Sequence, residues 1–494
     1  MAEFDPIEAT VADVRAAIAA GDVTAVELVD RYRERIAAHD DELNAVLARN
    51  DAVRERAAEL DARYEESGPV GPLHGVPLVL KDNQETADMP TTAGSVPLAD
   101  CRTGRDATVV ERLRAAGAVV LAKTNLQELA YGVDTVSSLG GATRNAYDTD
   151  RRPSGSSGGT AVAVAANLAV AGTGSDTCSS VRSPPAFAAC VGVRPTQGLV
   201  SRDGVVPLSS TQDTAGPIAR TVADAARLLT AMAGYDPADP ATAAAADAVP
   251  EDGYADALDP GALDGARVGV AREFFGPRDQ AGPHADGAAA VTAVLEDALD
   301  DLAAAGATVV DPVEVPHGAE LERARVLEFE FARDFDSWLA SVEDPSVDSL
   351  AELLATGEVA GTVAGRVREA DVLGRGDVDR DPDYLRRLRR RRELRQKTLA
   401  ALAERDLDAV VYPPSRVPPV EIPDGQPFDE LNCELSAHTG LPAVVVPAGF
   451  TGDGLPVGLE LLGRRFDETC LLSLAAGVED AIDGRHPPEG FGRV

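Results

Sequence analysis

From about residue 70 onward the chain alternates short, unbroken apolar runs with segments of helix length, and this alternation constrains the fold more than any other feature. Residues 76–80 and 118–122 are apolar throughout. Runs this short, with no polar alternation, fit strands buried on both faces. Residues 106–115 read as a helix, 160–170 as an Ala-rich and tightly packed one, and 191–193 as a further strand. The pattern predicts an α/β fold: a large, mixed, mostly parallel sheet covered by helices on both faces. Aromatic residues make up only 4% of the chain, so its core must be built from Ala, Val and Leu.

The flanking regions are simpler. The first 65 residues read as helices: Val11, Val14 and Ile18 repeat at helical spacing, Gly21 breaks the pattern, and Thr24 with Glu27 forms a capping box opening a second helix. Residues 235–265, rich in Ala, Asp and Pro, read as an acidic surface loop. Residues 290–405 read as mostly helical, and the run 386–392 within them as a solvated, ion-paired helix face. Strand signals return at 409–412, 443–446 and 457–462, before a terminal helix over 468–482.

The formal net charge is −36, from 82 acidic and 46 basic residues. Such a surface repels phosphate, which argues against nucleic acid and anionic membrane as partners. Only three basic residues are lysines: Lys81, Lys123 and Lys397. An acid-rich, lysine-poor surface resembles that of proteins from salt-adapted cells, where dissolved ions screen self-repulsion. A GC-rich genome is the alternative source of this composition. The five cysteines include no C-x-x-C pair, so neither a disulfide framework nor a zinc site is expected. The longest apolar run, 161–171, is interrupted by Asn167 and falls short of the roughly 18 residues a membrane span needs. With no signal-peptide pattern at the N-terminus, a soluble cytoplasmic protein is expected.

Three segments carry chemistry. In LHGVPLVLKDNQETADMPTTAGS, residues 73–95, an apolar strand delivers Lys81 at its end. Burial disfavours the ammonium and makes a neutral amine available as a base, a role arginine cannot take; pairing with Asp82 is the purely structural alternative. PSGSSGGT, residues 153–160, sets paired serines among glycines that permit tight turns. A phosphate-cradling loop would end in Gly-Lys-Ser/Thr, and this one does not. In GTGSDTCSSVR, residues 172–182, Ser180 sits where a polar turn enters a helix, beside backbone N–H groups able to hold an oxyanion; a helix cap is the alternative. A Ser-His-Asp triad is a weaker rival. Ser157 formally fits G-x-S-x-G, yet polar loop precedes it where an elbow needs a strand, and His74 is the histidine close to the lysine strand.

Together these segments resemble the amidase-signature family of serine amidohydrolases, whose hallmarks are a strand-borne lysine in a V-K-D-N-like string, a G-G-S-S-G-G-S-like loop and a G-T-D-T-G-G-S-I-R-like loop. The separations of 75 residues from Lys81 to Ser156 and 24 from Ser156 to Ser180 agree with it. So do LAKTNLQELAYG, VGVRPTQGLVSRDGVVPLSSTQDTAGPIARTVADAA, TGLPAVVVPAGF and LPVGLELLGRRFDE. The resemblance covers nearly the whole chain and is weakest over 235–405.

The resemblance implies one unit over 1–494: N-terminal helices to 65, a catalytic core over 66–234, a variable substrate-side region over 235–405, and completion of the core over 406–494. It implies amide hydrolysis through an acyl-enzyme, with Ser180 as nucleophile, Lys81 as base and Ser156, on a cis peptide bond, relaying the proton. The backbone N–H groups of Thr177, Cys178, Ser179 and Ser180 would form the oxyanion hole, braced by Asp176 and Arg182. The family usually has Gly-Gly where this chain has Cys178-Ser179, a crowding that would strain any position needing φ > 0. The expected partner is a small-molecule amide, without metal, organic cofactor, nucleic acid or membrane; the resemblance leaves room for a homodimer. Two alternatives share the scaffold: the amidase subunit of a tRNA-dependent amidotransferase, and a catalytically silent binding protein.

Overall fold

The computed structural model describes residues 4–259 and 261–493. Thirteen strands occur among them, in chain order: β1 (Val46–Arg49), β2 (Pro77–Lys81), β3 (Val119–Thr124), β4 (Val136–Ser137), β5 (Gly141–Ala142), β6 (Ala171–Asp176), β7 (Val191–Arg194), β8 (Thr214–Ala219), β9 (Arg267–Val270), β10 (Thr308–Val310), β11 (Ala409–Tyr412), β12 (Ala443–Phe450) and β13 (Pro456–Leu462). Eleven form one sheet in the order β1-β3-β2-β6-β8-β7-β12-β13-β11-β9-β10; β4 and β5 form a separate two-stranded ladder.

The sheet is mixed. β2 runs parallel to both β3 and β6, and β9 runs parallel to both β10 and β11. Antiparallel ladders join these groups through β8, β7, β12 and β13, and β1 lies antiparallel on β3. Every residue of β2, β3, β6 and β8 is buried, although alternate side chains point to opposite faces. Helices therefore cover both sides. The helix Gly158–Ala165, buried at every position, packs on β2, β3, β6 and β8, while Glu468–Ala481 and Ala285–Ala304 pack on β12 and β13.

Local rules explain most boundaries. Thr10 and Thr24 both make complete capping boxes, with Asp13 and Glu27. The expected helix over 160–170 instead spans Gly158–Ala165, because Asn167 takes φ 57° and exchanges hydrogen bonds with Glu8. The expected surface loop over 235–265 is tethered: Asp236 accepts from Thr108 and Ser201, and Asp239 from Arg202, so both are buried. The region 290–405 is mostly helical, as its composition predicts. Its helices Leu327–Leu339, Leu350–Ala355 and Gly361–Leu373 share a second apolar cluster with residues 129–131 and Leu208, apart from the main core.

The arginine run on the helix Pro382–Glu404 needs a correction. Arg386 and Arg387 pair with Asp383 and Arg389 with Glu393, as a solvated face should. Arg391 is instead buried, donating to the Ala324 carbonyl, to Thr211 and to Gln212. Helical spacing turns this one arginine of the run inward.

No helix among the described residues is long and apolar enough to cross a membrane. The charge of −36 is spread over a surface whose carboxylates outnumber its cations. Below about 0.1 M salt the screening length exceeds roughly 10 Å, so these carboxylates repel one another across the surface. The melting temperature should rise steeply with potassium chloride between low and molar concentrations. A flat response in a thermal-shift series would attribute the acidity to genome composition alone.

Candidate active site

The carboxyl ends of three parallel strands share one edge: Lys81 of β2 lies in register with Thr124 of β3, and Asp176 ends the neighbouring β6. This is where open α/β sheets place ligands. The parallel crossovers bring residues distant in sequence to one point.

Lys81 is wholly buried. Its Nζ donates to Ser156 Oγ at 2.6 Å, to Ser175 Oγ at 2.9 Å and to the Ser175 carbonyl at 3.3 Å. Burial pulls its pKa down to about 7, against the weaker opposing pull of Asp176 and Asp213. Neutral and charged forms are therefore both accessible near neutral pH. The alternative of a structural pair with Asp82 falls to the neighbouring lysine: Lys123 Nζ lies 3.3 Å from Asp82, and both are buried.

Ser156 follows a cis peptide bond from Gly155. A Cβ on Gly155 would sit 2.9 Å from the Val133 carbonyl carbon, so only glycine fits. Thr135 holds the loop by donating to the Ser154 carbonyl at 2.6 Å and accepting from the Gly158 amide at 3.1 Å. Ser157 is not exposed as an elbow nucleophile; it is buried and donates to the Ser175 carbonyl. His74 lies elsewhere, accepting from the Val70 amide.

Ser180 lies in the turn between β6 and the short helix Ser183–Ala186 and is 6% exposed. It lines a cavity of about 230 Å³ together with Thr177, Cys178 and Ser179. The amides of Cys178, Ser179 and Ser180 donate to no acceptor among the described residues. Neither Cys178 nor Ser179 has positive φ, so replacing glycine here brings no backbone strain. The Ser156 and Ser180 hydroxyls do not hydrogen-bond one another, in contrast to the relay expected from sequence: the contact from Lys81 to Ser156 is formed, and the one from Ser156 to Ser180 is open.

Beneath the turn, Asp176 accepts from the Val181 amide at 3.0 Å and from Arg182 at 3.2 Å, and pairs with Arg194 at 2.5 Å. Arg182 continues to Glu460 at 2.7 Å and to the Cys433 carbonyl at 3.1 Å, and Tyr412 also donates to Glu460. All these charged groups are wholly buried. Burial acts to raise the Asp176 pKa, but Arg182 and Arg194 outweigh it and hold the carboxylate ionised.

Several residues of this site escaped sequence reasoning. Gln212 and Asp213 fix Thr177, through its carbonyl at 2.8 Å and its hydroxyl at 2.5 Å. Arg391 reaches Gln212 from behind, and Ser175 lies against the lysine. The cysteine reading also needs correction: Cys178 and Cys433, 255 residues apart, form a disulfide, while Cys101, Cys190 and Cys470 are free. The turn after β6 and the segment between β11 and the helix Glu434–Thr439 meet at this bridge, which no C-x-x-C rule detects. The variable region supplies Arg325, Leu327, Glu328, Arg366 and Glu369 to the cavity wall, and the guanidinium groups of Arg325 and Arg366 lie 5.3 and 5.6 Å from the centre of the Phe428 ring.

Asp176→Asn should cost about 3 kcal/mol or more in unfolding free energy, because it leaves two buried arginines short of a counter-charge. Denaturant titration at fixed salt measures this. A loss below about 1 kcal/mol would mean that Glu460 and the backbone satisfy the arginines without Asp176.

Both the sequence and the fold are similar to those of known proteins. The Amidase family model matches residues 27–472. The native peptide amidase of Stenotrophomonas maltophilia superposes with a TM-score of 0.87 at 40% identity, over 98% of each chain. A glutamyl-tRNA(Gln) amidotransferase subunit of Chloroflexus aurantiacus is 37% identical over 94% of each chain. The structure of the corresponding Thermotoga maritima protein superposes with a TM-score of 0.76 at 27% identity, over 99% of each. From its sequence motifs, its fold and these likenesses, the chain belongs to the amidase-signature family.

Proposed function

We propose that this protein hydrolyses a carboxylic amide to the acid and ammonia or an amine, through an acyl-enzyme on Ser180. The observation that carries the reading is the wholly buried Lys81, held at 2.6 Å from Ser156 with its pKa pulled to about 7. The neutral amine offers a lone pair along that contact. Ser156 passes its proton to Lys81 and takes one from Ser180, whose Oγ attacks the amide carbon. The carbonyl oxygen becomes an oxyanion held by the amides of the 177–180 turn. The Lys81 ammonium returns its proton through Ser156 to the leaving nitrogen, and the C–N bond breaks. Water, deprotonated along the same path, then attacks the acyl carbon and releases the acid. The open contact between Ser156 and Ser180 closes as substrate binds, since catalytic hydrogen bonds are often long in an unliganded site.

The likeness to a peptide amidase makes a peptide carboxamide the first substrate to try. A second reading, the amidase subunit of a tRNA-dependent amidotransferase, is favoured by the amidotransferase relatives at 37% identity. Against it stand the charge of −36, which repels tRNA, and the region 412–441, which lacks the Tyr-rich string expected of such a protein. Isolation of the chain with companion subunits would favour the second reading; turnover by the purified chain alone favours the first.

Ser180→Ala should abolish turnover of a carboxamide while leaving the melting temperature near that of the parent, since no neighbour replaces the nucleophile. Lys81→Arg should be nearly as inactive as Lys81→Ala, because a guanidinium keeps its proton at working pH. More than about a tenth of activity left in Ser180→Ala, or a competent arginine variant, would remove that residue from its role.

A further inference from the structure

Most of the turn Thr177–Val181 is held by hydrogen bonds. Thr177 is fixed by Asp213 and Gln212. The Ser179 carbonyl accepts from the Arg182 and Ser183 amides at 2.8 and 2.9 Å, and its hydroxyl accepts from Ser183 at 3.0 Å. The Val181 amide is held by Asp176. Cys178 and Ser180 make no hydrogen bond among the described residues. Ser180 sits between two held neighbours, Ser179 and Val181. Cys178 has a tether of another kind, the disulfide to Cys433, with the two Cα atoms 5.0 Å apart.

The far end of that tether is held on both sides. The Cys433 carbonyl accepts from Arg182. On one side Asn432 donates to the carbonyls of Phe274 and Pro413, at 2.9 and 2.8 Å. On the other Glu434 pairs with Arg325 at 2.5 Å. Cys433 is 1% exposed, whereas Cys178 is partly exposed and lines the cavity, where a small thiol can reach it.

From this we infer that Cys433 is a positioning residue for the hydrolysis: through the disulfide it fixes the Cys178 amide in the oxyanion hole, and turnover depends on the oxidation state of the pair. The inference rests on the reading of Ser180 as nucleophile. Two glycines at 178–179 would leave this amide to the turn's own geometry; here a covalent strut to the opposite wall sets it. An amide held in place acts on the transition state, where the oxyanion forms, rather than on the bound substrate. Losing the strut should therefore lower kcat and spare KM.

Dithiothreitol breaks the one S–S bond and forms two S–H bonds. The two electrons and two protons come from the dithiol, which leaves as its cyclic disulfide. Oxidised glutathione reverses this, leaving as two thiols. The test is steady-state kinetics of the purified protein on a carboxamide, with kcat expressed per site titrated by a covalent serine probe. The reduced protein, the reoxidised protein and the Cys178→Ala/Cys433→Ala variant are compared at a temperature where the oxidised protein is fully folded.

Reduction should lower kcat about tenfold with KM within about twofold, the smaller end of what removing one oxyanion donor costs. Reoxidation should restore it, and the double variant should match the reduced protein and ignore dithiothreitol. Unchanged kcat per titrated site on reduction would overturn the inference, even if the melting temperature falls, because the bridge would then be a staple only. Loss of the cooperative fold in both the reduced protein and the double variant would overturn it likewise. Ser180→Ala separates the two claims. If it is inactive while reduction has no effect, the inference alone fails; if it is active, the reading of the site fails.

Discussion

Everything in this site is arranged around a lysine kept out of water at the end of a central strand. An ammonium in that place is costly unless it is paired, and the carboxylates that could pair with it are engaged elsewhere: Asp82 with Lys123, Asp176 with Arg182 and Arg194. Lys81 is left with hydroxyl and carbonyl partners, and burial wins, bringing the pKa to about 7. Of the three lysines in the chain, two are buried at this edge of the sheet and the third, Lys397, is exposed beside Glu320. Arginine supplies the charge elsewhere, on the surface and also in buried ion pairs such as Arg182 and Arg194 with Asp176; lysine differs in being able to give up its proton when buried.

The arginines do the complementary work. Arg182 and Arg194 are permanent cations under the Ser180 turn, and they keep Asp176 ionised where burial alone would protonate it. The carboxylate in turn holds the Val181 amide and so shapes the turn. The second arm of Arg182 carries this order across to Glu460 on β13 and to the Cys433 carbonyl. Strands far apart in sequence thus brace one short turn, and the cavity opens between that turn and the helices of the variable region.

How much of this was legible in the sequence follows from the range of each interaction. Motif order and spacing pointed to Lys81, Ser156 and Ser180, of which the first two are joined by a hydrogen bond, and the capping box at Thr24 follows a local rule that the unread box at Thr10 also obeys. What was missed depends on long-range packing. The Cys178–Cys433 bridge joins residues with no sequence relation. Arg391 differs from its neighbours only by the helix face it occupies, and Gln212 and Asp213 sit in a loop whose role is set by what it packs against. The antiparallel middle of the sheet, through β8, β7 and β12, is likewise hidden, because a buried strand reads the same whichever way its neighbour runs. The open contact between Ser156 and Ser180 is a matter of ångströms, which motif spacing does not resolve.

The central claim is that a neutral Lys81 activates Ser180 through Ser156. The most direct measurement is the rate at which a fluorophosphonate labels Ser180 as a function of pH, with the labelled peptide identified by mass. The account predicts one modification, on Ser180, whose rate rises with pH through an apparent pKa near 7 as Lys81 loses its proton. A rate that does not change across that range, or a label on another residue, would contradict it.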